Sequence, residues 1–376
     1  MSASILERLS PNSAGEPPQN GQTATPQKSR HAARYRTHVI TIVVGLAAIV
    51  IASVVSVLVG TAGADIGDLF GAIWSKATGS VPADAASVKA QTIIWELRLP
   101  RVGLAILGGI ALAVAGVLFQ GLLRNPLVSP FTLGIAPAAA FGASLAIVVF
   151  GAGATASGIL LVVGALVAGI ANTVIVLLLA SRRKLEATTL ILLGIALTQL
   201  FGALTAAIQY FADDEVLAAI VRWTWGSVNN SVWYQVVTLL VLLLVALPWV
   251  QLRSGTLNAI AFGGDDAAKS LGVPVTRVRF ELIAVATVLT AVAVSFMGII
   301  GFVGLVGPHI ARLLIGGNHR FLLPFAAVIG ALLLIVADIV GRQIVNPAVM
   351  PVGIIDAIVG APIFIYLILS RKKALS

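Results

Sequence analysis

The chain has 376 residues, of which 59% are hydrophobic and only 10% are charged, and its formal net charge is +9. This number of charged residues is too small to cover the surface of a soluble protein of this length. The composition therefore excludes a soluble protein and indicates a chain that lies mostly in a membrane. The absence of cysteine excludes disulfides, thiolate metal sites and a cysteine nucleophile. Short basic clusters between apolar runs are typical of topology signals rather than of a nucleic-acid-binding surface.

The N-terminal region differs in composition from the rest of the chain. Residues 1–37 are rich in Ser, Pro, Gln, Gly and Thr, which predicts a disordered tail, and we expect this tail in the cytoplasm. The apolar run from Val39 to Gly60 is too long for the core of a signal peptide and lacks a clear cleavage pattern, which favours a retained first span over a cleaved signal. Residues 38–376 are therefore expected to form one transmembrane domain.

Apolar runs repeat along that domain, and one helical crossing of a membrane needs about 20 apolar residues. We expect an all-α polytopic membrane protein with about ten transmembrane helices. The predicted spans are 38–61, 92–123, 132–150, 157–180, 188–210, 232–250, 280–300, 303–316, 322–345 and 352–370. The loops on one side carry most of the Lys and Arg, so the positive-inside rule places both termini in the cytoplasm.

Helix breakers interrupt several of these apolar runs, for example at Asn125-Pro126, Gly307-Pro308 and Pro351. A membrane tolerates such breaks only where neighbouring protein or a water-filled cavity satisfies the freed backbone groups. The pattern therefore predicts a protein that builds a pathway rather than a bundle of simple anchors.

Five motifs stand in a fixed order along the chain. They are Arg98-Leu-Pro-Arg101, the stretch from Gln120 to Gly134 that contains Arg124-Asn-Pro-Leu, Ala212-Asp-Asp-Glu215, Leu271-Gly-Val273, and the stretch from Phe302 to Arg312 that contains Gly307-Pro-His309. In these motifs the chain, over about residues 92–370, resembles the FecCD family of BtuC-like permeases. The resemblance implies the membrane channel of an ABC importer for iron-siderophores, haem or cobalamin. The chain departs from the family pattern at Gly134-Ile-Ala-Pro137 and at Gly307.

The resemblance also implies which residues contact partners. Residues 263–279 are expected to form a cytoplasmic coupling-helix loop that docks into a cleft on a separate ATPase, with an ordinary loop as the alternative. Outer arginines are expected to meet acidic residues of an extracytoplasmic substrate-binding protein, with arginines that merely reach the membrane boundary as the alternative. A third group is expected to line the pathway or its gate. The coupling residues are Gly264, Ala268, Leu271, Gly272 and Val273, the docking residues are Arg98, Arg101 and Arg342, and the gate residues are Ala187, Thr188, Asn125, Pro126 and Pro308.

The coupling loop also nearly spells a phosphate-binding loop, with Gly263, Lys269 and Ser270 at suitable offsets. Ala268 stands where that loop needs a glycine, and no strand is predicted before it. We therefore expect ATP and Mg²⁺ on the partner ATPase and no cofactor on this chain. The sequence offers no nucleophile with a base and no clustered metal ligands, so neither catalytic nor metal-binding residues are expected.

The function predicted from the resemblance is that of a permease subunit of a type II ABC importer in the cytoplasmic membrane of a bacterium. A ferric siderophore is the preferred cargo because it is the commonest in the family, while haem and cobalamin stay open. Expected partners are a second permease chain, identical or paralogous, two ATPase subunits, the binding protein and membrane lipid, but no nucleic acid. The alternative from another class is an ion-coupled secondary transporter, in which Asp338 and Asp356 would be proton or cation sites. A third alternative, a membrane scaffold without transport, leaves the helix breakers unexplained.

Overall fold

The structure, a computed structural model, describes residues 26–59, 65–80, 85–151, 158–182, 185–345 and 348–370. These residues confirm the all-α prediction. The α-helices are α1 Pro26–Leu58, α2 Ile66–Thr78, α3 Ala85–Ile93, α4 Leu99–Leu122, α5 Ile135–Phe150, α6 Ile159–Ser181, α7 Ala187–Phe211, α8 Asp214–Thr224, α9 Trp233–Leu252, α10 Ser254–Ser270, α11 Val275–Met297, α12 Val303–Ile315, α13 His319–Gln343 and α14 Val352–Ser370.

The described part of the chain contains seven helical segments that are long and apolar enough to cross a membrane, and three shorter apolar ones. Together they correspond to the ten predicted spans. The predicted span 303–316 corresponds to α12, which has 13 residues and is therefore only about 20 Å long at 1.5 Å per residue. Helix α12 is too short to span a hydrocarbon core about 30 Å thick. The predicted span 303–316 is thus a half-helix, and helix-breaking residues end it on both sides.

The N-terminal boundary also differs from the prediction. Helix α1 begins at Pro26, so residues 26–37 are helical where the composition predicted disorder. The segment Lys28–Arg36 contains Ala, Lys and Arg, which are strong helix formers, and it runs directly into the apolar part of α1. The predicted tail from 1 to 25 lies outside the described residues. The chain divides into a unit that ends at Ile40 and a unit that begins at Thr41.

Helices α3 and α4 are joined without a break by a π-helical segment, Ile94–Arg98. The cause is Pro100, which cannot donate a backbone hydrogen bond and whose ring would clash with the carbonyl four residues earlier. A π-bulge shifts the pairing by one residue, so that the backbone N–H of Leu99 donates to the carbonyl of Ile94. The resulting continuous helix, Ala85–Leu122, carries Arg98 and Arg101 near its middle.

The core of the larger unit is built around α4, which is buried on nearly all sides. It packs against α13, α11, α12 and α9. Glycines allow these close approaches, because a methyl group added at Gly116 would collide with the carbonyl oxygen of Gly304 and lie 3.0 Å from Cγ of Pro308. Helices in lipid associate by such packing of small residues. The buried side of Pro308 therefore faces α4.

Candidate coupling hairpin and its anchoring

Helix α10 and the start of α11 form a helical hairpin, which we call the coupling hairpin (residues 254–279). A kink at Gly264, with φ 78°, divides α10 into a longer and a shorter helix. The sequence analysis placed the polar loop at 263–279, whereas the structure shows helix from Ser254 and the first turn of α11 already at Val275. Most of the predicted loop is therefore helical, and a rigid element of this kind suits a docking role.

The tip of the coupling hairpin presents only part of the predicted coupling set. The side chain of Leu271 is 75% exposed, and Gly272, with φ 79° and open space around its Cα, makes the turn. Ala268 is fully buried, and its carbonyl accepts the backbone N–H of Val273 at 3.0 Å. Leu271 and Gly272 can thus meet a partner surface, while Ala268 and Gly264 hold the shape of the hairpin.

The near match to a phosphate-binding loop does not fold as one. Lys269 Nζ lies 3.2 Å from Asp266 Oδ1, and the hydroxyl of Ser270 donates to the carbonyl of Asp266 at 3.0 Å. Both residues therefore complete a helical turn rather than a loop that cradles phosphate.

A buried arginine joins the coupling hairpin to the helices beside it. The side chain of Arg279 is only 3% exposed. Its guanidinium makes a two-pronged ion pair with Asp265, with Nη2 to Oδ1 at 2.8 Å and Nη1 to Oδ2 at 3.1 Å. The same nitrogens donate to the carbonyls of Leu185 at 3.1 Å and of Leu122 at 3.3 Å. One side chain thus ties the kink of α10 to the end of α4 and to the residues just before α7.

Arg279 is the last residue of the predicted loop 263–279, and no role was predicted for it. A signal was nevertheless present, since Val275, Val278, Arg279 and Leu282 follow the i, i+3, i+4, i+7 spacing of one helical face. All four are buried in the structure. An arginine on the apolar face of a helix requires partners, and here they come from three separate elements.

The predicted gate residues lie near this junction, with one exception. Ala187 and Thr188 form the first turn of α7, two and three residues after Leu185. Asn125 and Pro126 follow the end of α4, and the backbone N–H of Asn125 donates to the carbonyl of Gln120 at 3.2 Å. Pro308 is buried within α12 and packs toward Gly116 rather than toward the hairpin.

Side-chain hydrogen bonds link two of the sequence motifs at the same end of the molecule. Arg312 Nη2 donates to Gln120 Oε1 at 3.1 Å, which joins α12 to α4. The backbone N–H of His319 donates to Asn258 Oδ1 at 2.9 Å, which joins α13 to α10.

The predicted docking arginines lie at the opposite end of α4 and α13, in what we call the arginine cluster (Arg98, Arg101, Asp338 and Arg342). The carboxylate of Asp338 is fully buried; its Oδ1 lies 2.7 Å from Nη2 of Arg101, and its Oδ2 lies 3.1 Å from Nη2 of Arg342. The side chains of Arg101 and Arg342 are 17% and 10% exposed.

The arginine cluster also binds the last turn of α1. Arg342 Nη1 donates to the carbonyls of Ser56 at 2.9 Å and of Val59 at 2.7 Å, and Arg98 donates to the carbonyl of Val57. The last carbonyls of a helix lack partners within it and carry the negative end of its dipole, so cationic side chains stabilise them. Within this chain all three arginines therefore hold helices together, and their contact with a binding protein remains a prediction.

These features define a polytopic membrane protein whose one end carries the ordered coupling hairpin. The chain belongs to the FecCD transport family, which residues 48–370 match. It is thus a BtuC-like permease of the ABC importer class.

The chain is similar in sequence to permeases that are named for different cargoes. The chain is 36% identical over 306 residues to the vitamin B12 import system permease BtuC of Vibrio cholerae, covering 81% of this chain and 90% of that protein. It is 39% identical over 282 residues to the hemin transport system permease HmuU of Yersinia pestis, covering 74% and 84%. It is 40% identical over 281 residues to the Fe(3+)-citrate import system permease YfmE of Bacillus subtilis, covering 73% and 81%.

A solved structure has the same fold. It is an inward-facing conformation of an ABC transporter of the metal-chelate type, with a TM-score of 0.75 and 32% sequence identity, and the match covers 88% of this chain and 98% of that one.

Proposed function

We propose that this permease carries a ferric siderophore across the bacterial cytoplasmic membrane, from outside to inside, and that a separate ATPase drives it. The observation that carries the ATP-driven part is the coupling hairpin, whose exposed turn at Leu271 and Gly272 follows a helix that the ion pair of Asp265 with the buried Arg279 holds in place. A rigid element that a partner pushes can move the helices it joins, whereas a flexible loop would absorb the displacement.

The comparisons support a metal chelate as cargo. Vitamin B12, hemin and Fe(3+)-citrate, which appear in the names of three relatives, are all chelates of a transition metal. Haem and cobalamin are therefore the alternatives to a ferric siderophore. The identities of 36–40% are too similar to each other to favour one of them.

Helix α7 supports a second permease chain as partner. Only 6% of the residues in its most apolar stretch are buried within this chain. Its exposed face carries Gln199, Gly202, Ala203 and Ala206. A glutamine that faces lipid is costly, and small residues suit the close approach of another helix or the wall of a pathway. We infer that α7 faces the second copy or paralogue across the pathway.

The remaining parts of the proposal follow the family's organisation. The chain itself catalyses no bond-making step, and ATP and Mg²⁺ are bound by two partner ATPase subunits. The coupling hairpin and both termini lie in the cytoplasm. A substrate-binding protein docks at the other end, near Arg98, Arg101 and Arg342. Arg101 is the least buried of the pair that flanks Asp338, so it is the first candidate for that contact.

The ion-coupled alternative is less well supported. A proton or cation site needs a carboxylate that changes its partner during transport, but Asp338 is held by two arginines. Asp356 Oδ2 accepts the backbone N–H of Phe302 at 2.8 Å, at the break before α12. Both acids thus fix the structure of the helices around them.

Uptake by cells tests the proposal. Labelled ferric siderophore, haem and cobalamin are offered to cells with and without this chain, and a parallel set carries an ATPase partner that cannot hydrolyse ATP. We expect uptake of the ferric siderophore alone to require both proteins. If uptake of haem or cobalamin requires this chain instead, that compound replaces the ferric siderophore as the cargo. Uptake that survives the inactive ATPase would refute the ABC mechanism.

A further inference from the structure

Arg279 stands out among the described basic residues because it is almost fully buried and bridges three separate elements. Its partners are a carboxylate at the kink of α10 and two backbone carbonyls, those of Leu185 and Leu122. The pair with Asp265 is only partly buried on the acid's side, since that carboxylate is 38% exposed. The pair therefore lies between the exposed tip of the coupling hairpin and the interior of the permease.

The two carbonyls mark the boundaries of the segments that carry most of the predicted gate residues. Leu185 has a left-handed backbone, with φ 55°, and comes two residues before α7. Leu122 is the last residue of α4 and comes three residues before Asn125. A displacement of the guanidinium would thus act on the first turn of α7 and on the Asn125-Pro126 break together.

A backbone carbonyl that loses its donor in a buried site is costly, so these contacts resist separation. A hydrogen bond to a charged group is also stronger than one between neutral groups. A continuous chain of polar contacts therefore runs from Asp265 through Arg279 to the carbonyl of Leu185, just before the start of α7.

We propose that Arg279 is the positioning residue that transmits movement of the coupling hairpin to the inner ends of α7 and α4. This inference rests on the proposed ATP-driven function. It assigns to Asp265 the input of the movement and to the carbonyls of Leu185 and Leu122 its two outputs. Arg279 itself touches neither cargo nor nucleotide in this scheme.

The chain offers a matched control for Arg279. Arg277 lies on the same turn of α11, but its side chain is 79% exposed and its ion pair is with Glu281, four residues along the same helix, at 2.8 Å. Such an exposed pair contributes little to stability. R277K therefore makes the same chemical change as R279K without touching the junction.

The test uses the full chain together with its ATPase and binding protein in proteoliposomes. Because the chain has no cysteine, a single cysteine in place of Glu186, the exposed residue between Leu185 and α7, reports on the start of α7 through its rate of maleimide labelling. The variants R279K and D265N keep the size of each side chain approximately and are compared with R277K. Co-purification of the ATPase and basal ATP hydrolysis report on assembly.

We expect R279K and D265N to assemble with the ATPase and to keep basal hydrolysis. The nucleotide-dependent change in labelling and the hydrolysis stimulated by cargo-loaded binding protein should fall by roughly tenfold, since each variant loses a charge-assisted hydrogen bond. R277K should behave like the wild type in both measurements.

Three results would overturn the inference. R279K and D265N could respond to nucleotide as R277K does, which would show that Arg279 takes no part in transmitting the movement. Both could fail to give a folded permease, which would make the pair a purely structural contact. The wild type itself could fail to bind the ATPase or to respond to nucleotide, and this result would overturn the proposed function as well.

Discussion

Asp338 is the acid on which the arginine cluster depends, and its removal gives a sharp test of the packing. The D338A variant leaves Arg101 and Arg342 without the carboxylate that lies between them, in a site where the acid is fully buried. Removing one partner of a buried pair costs about 3–5 kcal/mol, because the remaining charge is buried without compensation. One kcal/mol shifts the Tm by about 2–4 °C in a domain of 150–250 residues and by less in a longer chain, so we expect Tm to fall by about 5–10 °C.

The assay is thermal unfolding of the purified full chain in detergent at one scan rate. D266N is the control, because the side chain of Asp266 is fully exposed and pairs with Lys269 one turn away. Its effect should stay within about 0.5 kcal/mol, as for most surface substitutions. Equal unfolding temperatures for D338A and D266N would refute the buried cluster.

D338N also separates the proposed function from the ion-coupled alternative. A secondary transporter that uses this acid as its coupling site would lose uptake in every folded molecule. If Asp338 is structural, uptake per folded permease should be retained while Tm falls. Both quantities can be measured on the same membranes.

Three further predictions concern glycines and the exposed face of α7. G272V should abolish ATPase stimulation but not membrane insertion, because a β-branched residue strains the left-handed turn at the hairpin tip; normal stimulation would argue against the coupling role. G116A should lower stability by about 1–3 kcal/mol through its collision with Gly304, whereas G255A, where a methyl group meets open space, should unfold with the wild type. A single cysteine in place of Gln199 should be joined to its counterpart by a bismaleimide reagent long enough to span the pathway if α7 faces a second copy across it, and a monomer with every such reagent would refute that arrangement.

The sequence predicted the helices well because a membrane leaves the backbone few alternatives. A long apolar run such as that of α13 must be helical in lipid, since every buried N–H and C=O needs a partner within the segment. The same reasoning predicted a helix break at Pro308, which is wrong, because Pro308 lies inside α12. The predicted apolar run 303–316 has only 14 residues, so its length was enough to indicate that α12 is too short to cross.

Two short helices outside the apolar runs were not predicted. Asp65 and Asp68 form a capping box at the start of α2, and Asp213 caps α8 by accepting the N–H of Val216 at 2.9 Å. Both signals are visible in the sequence. A search for windows of about 20 apolar residues passes over them, because each helix has no more than 13 residues.

The roles of the arginines were the hardest part to predict. Arg98 and Arg342 border apolar runs, so the sequence is compatible with an exposed side chain at the membrane boundary as much as with a buried one. Their burial depends on the end of α1, more than 280 residues before Arg342 for the Ser56 carbonyl. Nothing local encodes that contact, and the same holds for Arg279 and the carbonyl of Leu122.

The two arginine sites act on the same helix from opposite ends. Arg101 joins the first turns of α4 to Asp338 of α13, and Arg279 holds the last carbonyl of α4 at Leu122. Helix α4 is also buried on most of its surface, so a force applied at the coupling hairpin meets strong resistance there. Helix α7 is held by Arg279 only through the carbonyl before its first turn, and little of its surface is packed within the chain. Movement of the coupling hairpin should therefore displace the start of α7, the helix that we place beside the pathway, further than the inner end of α4.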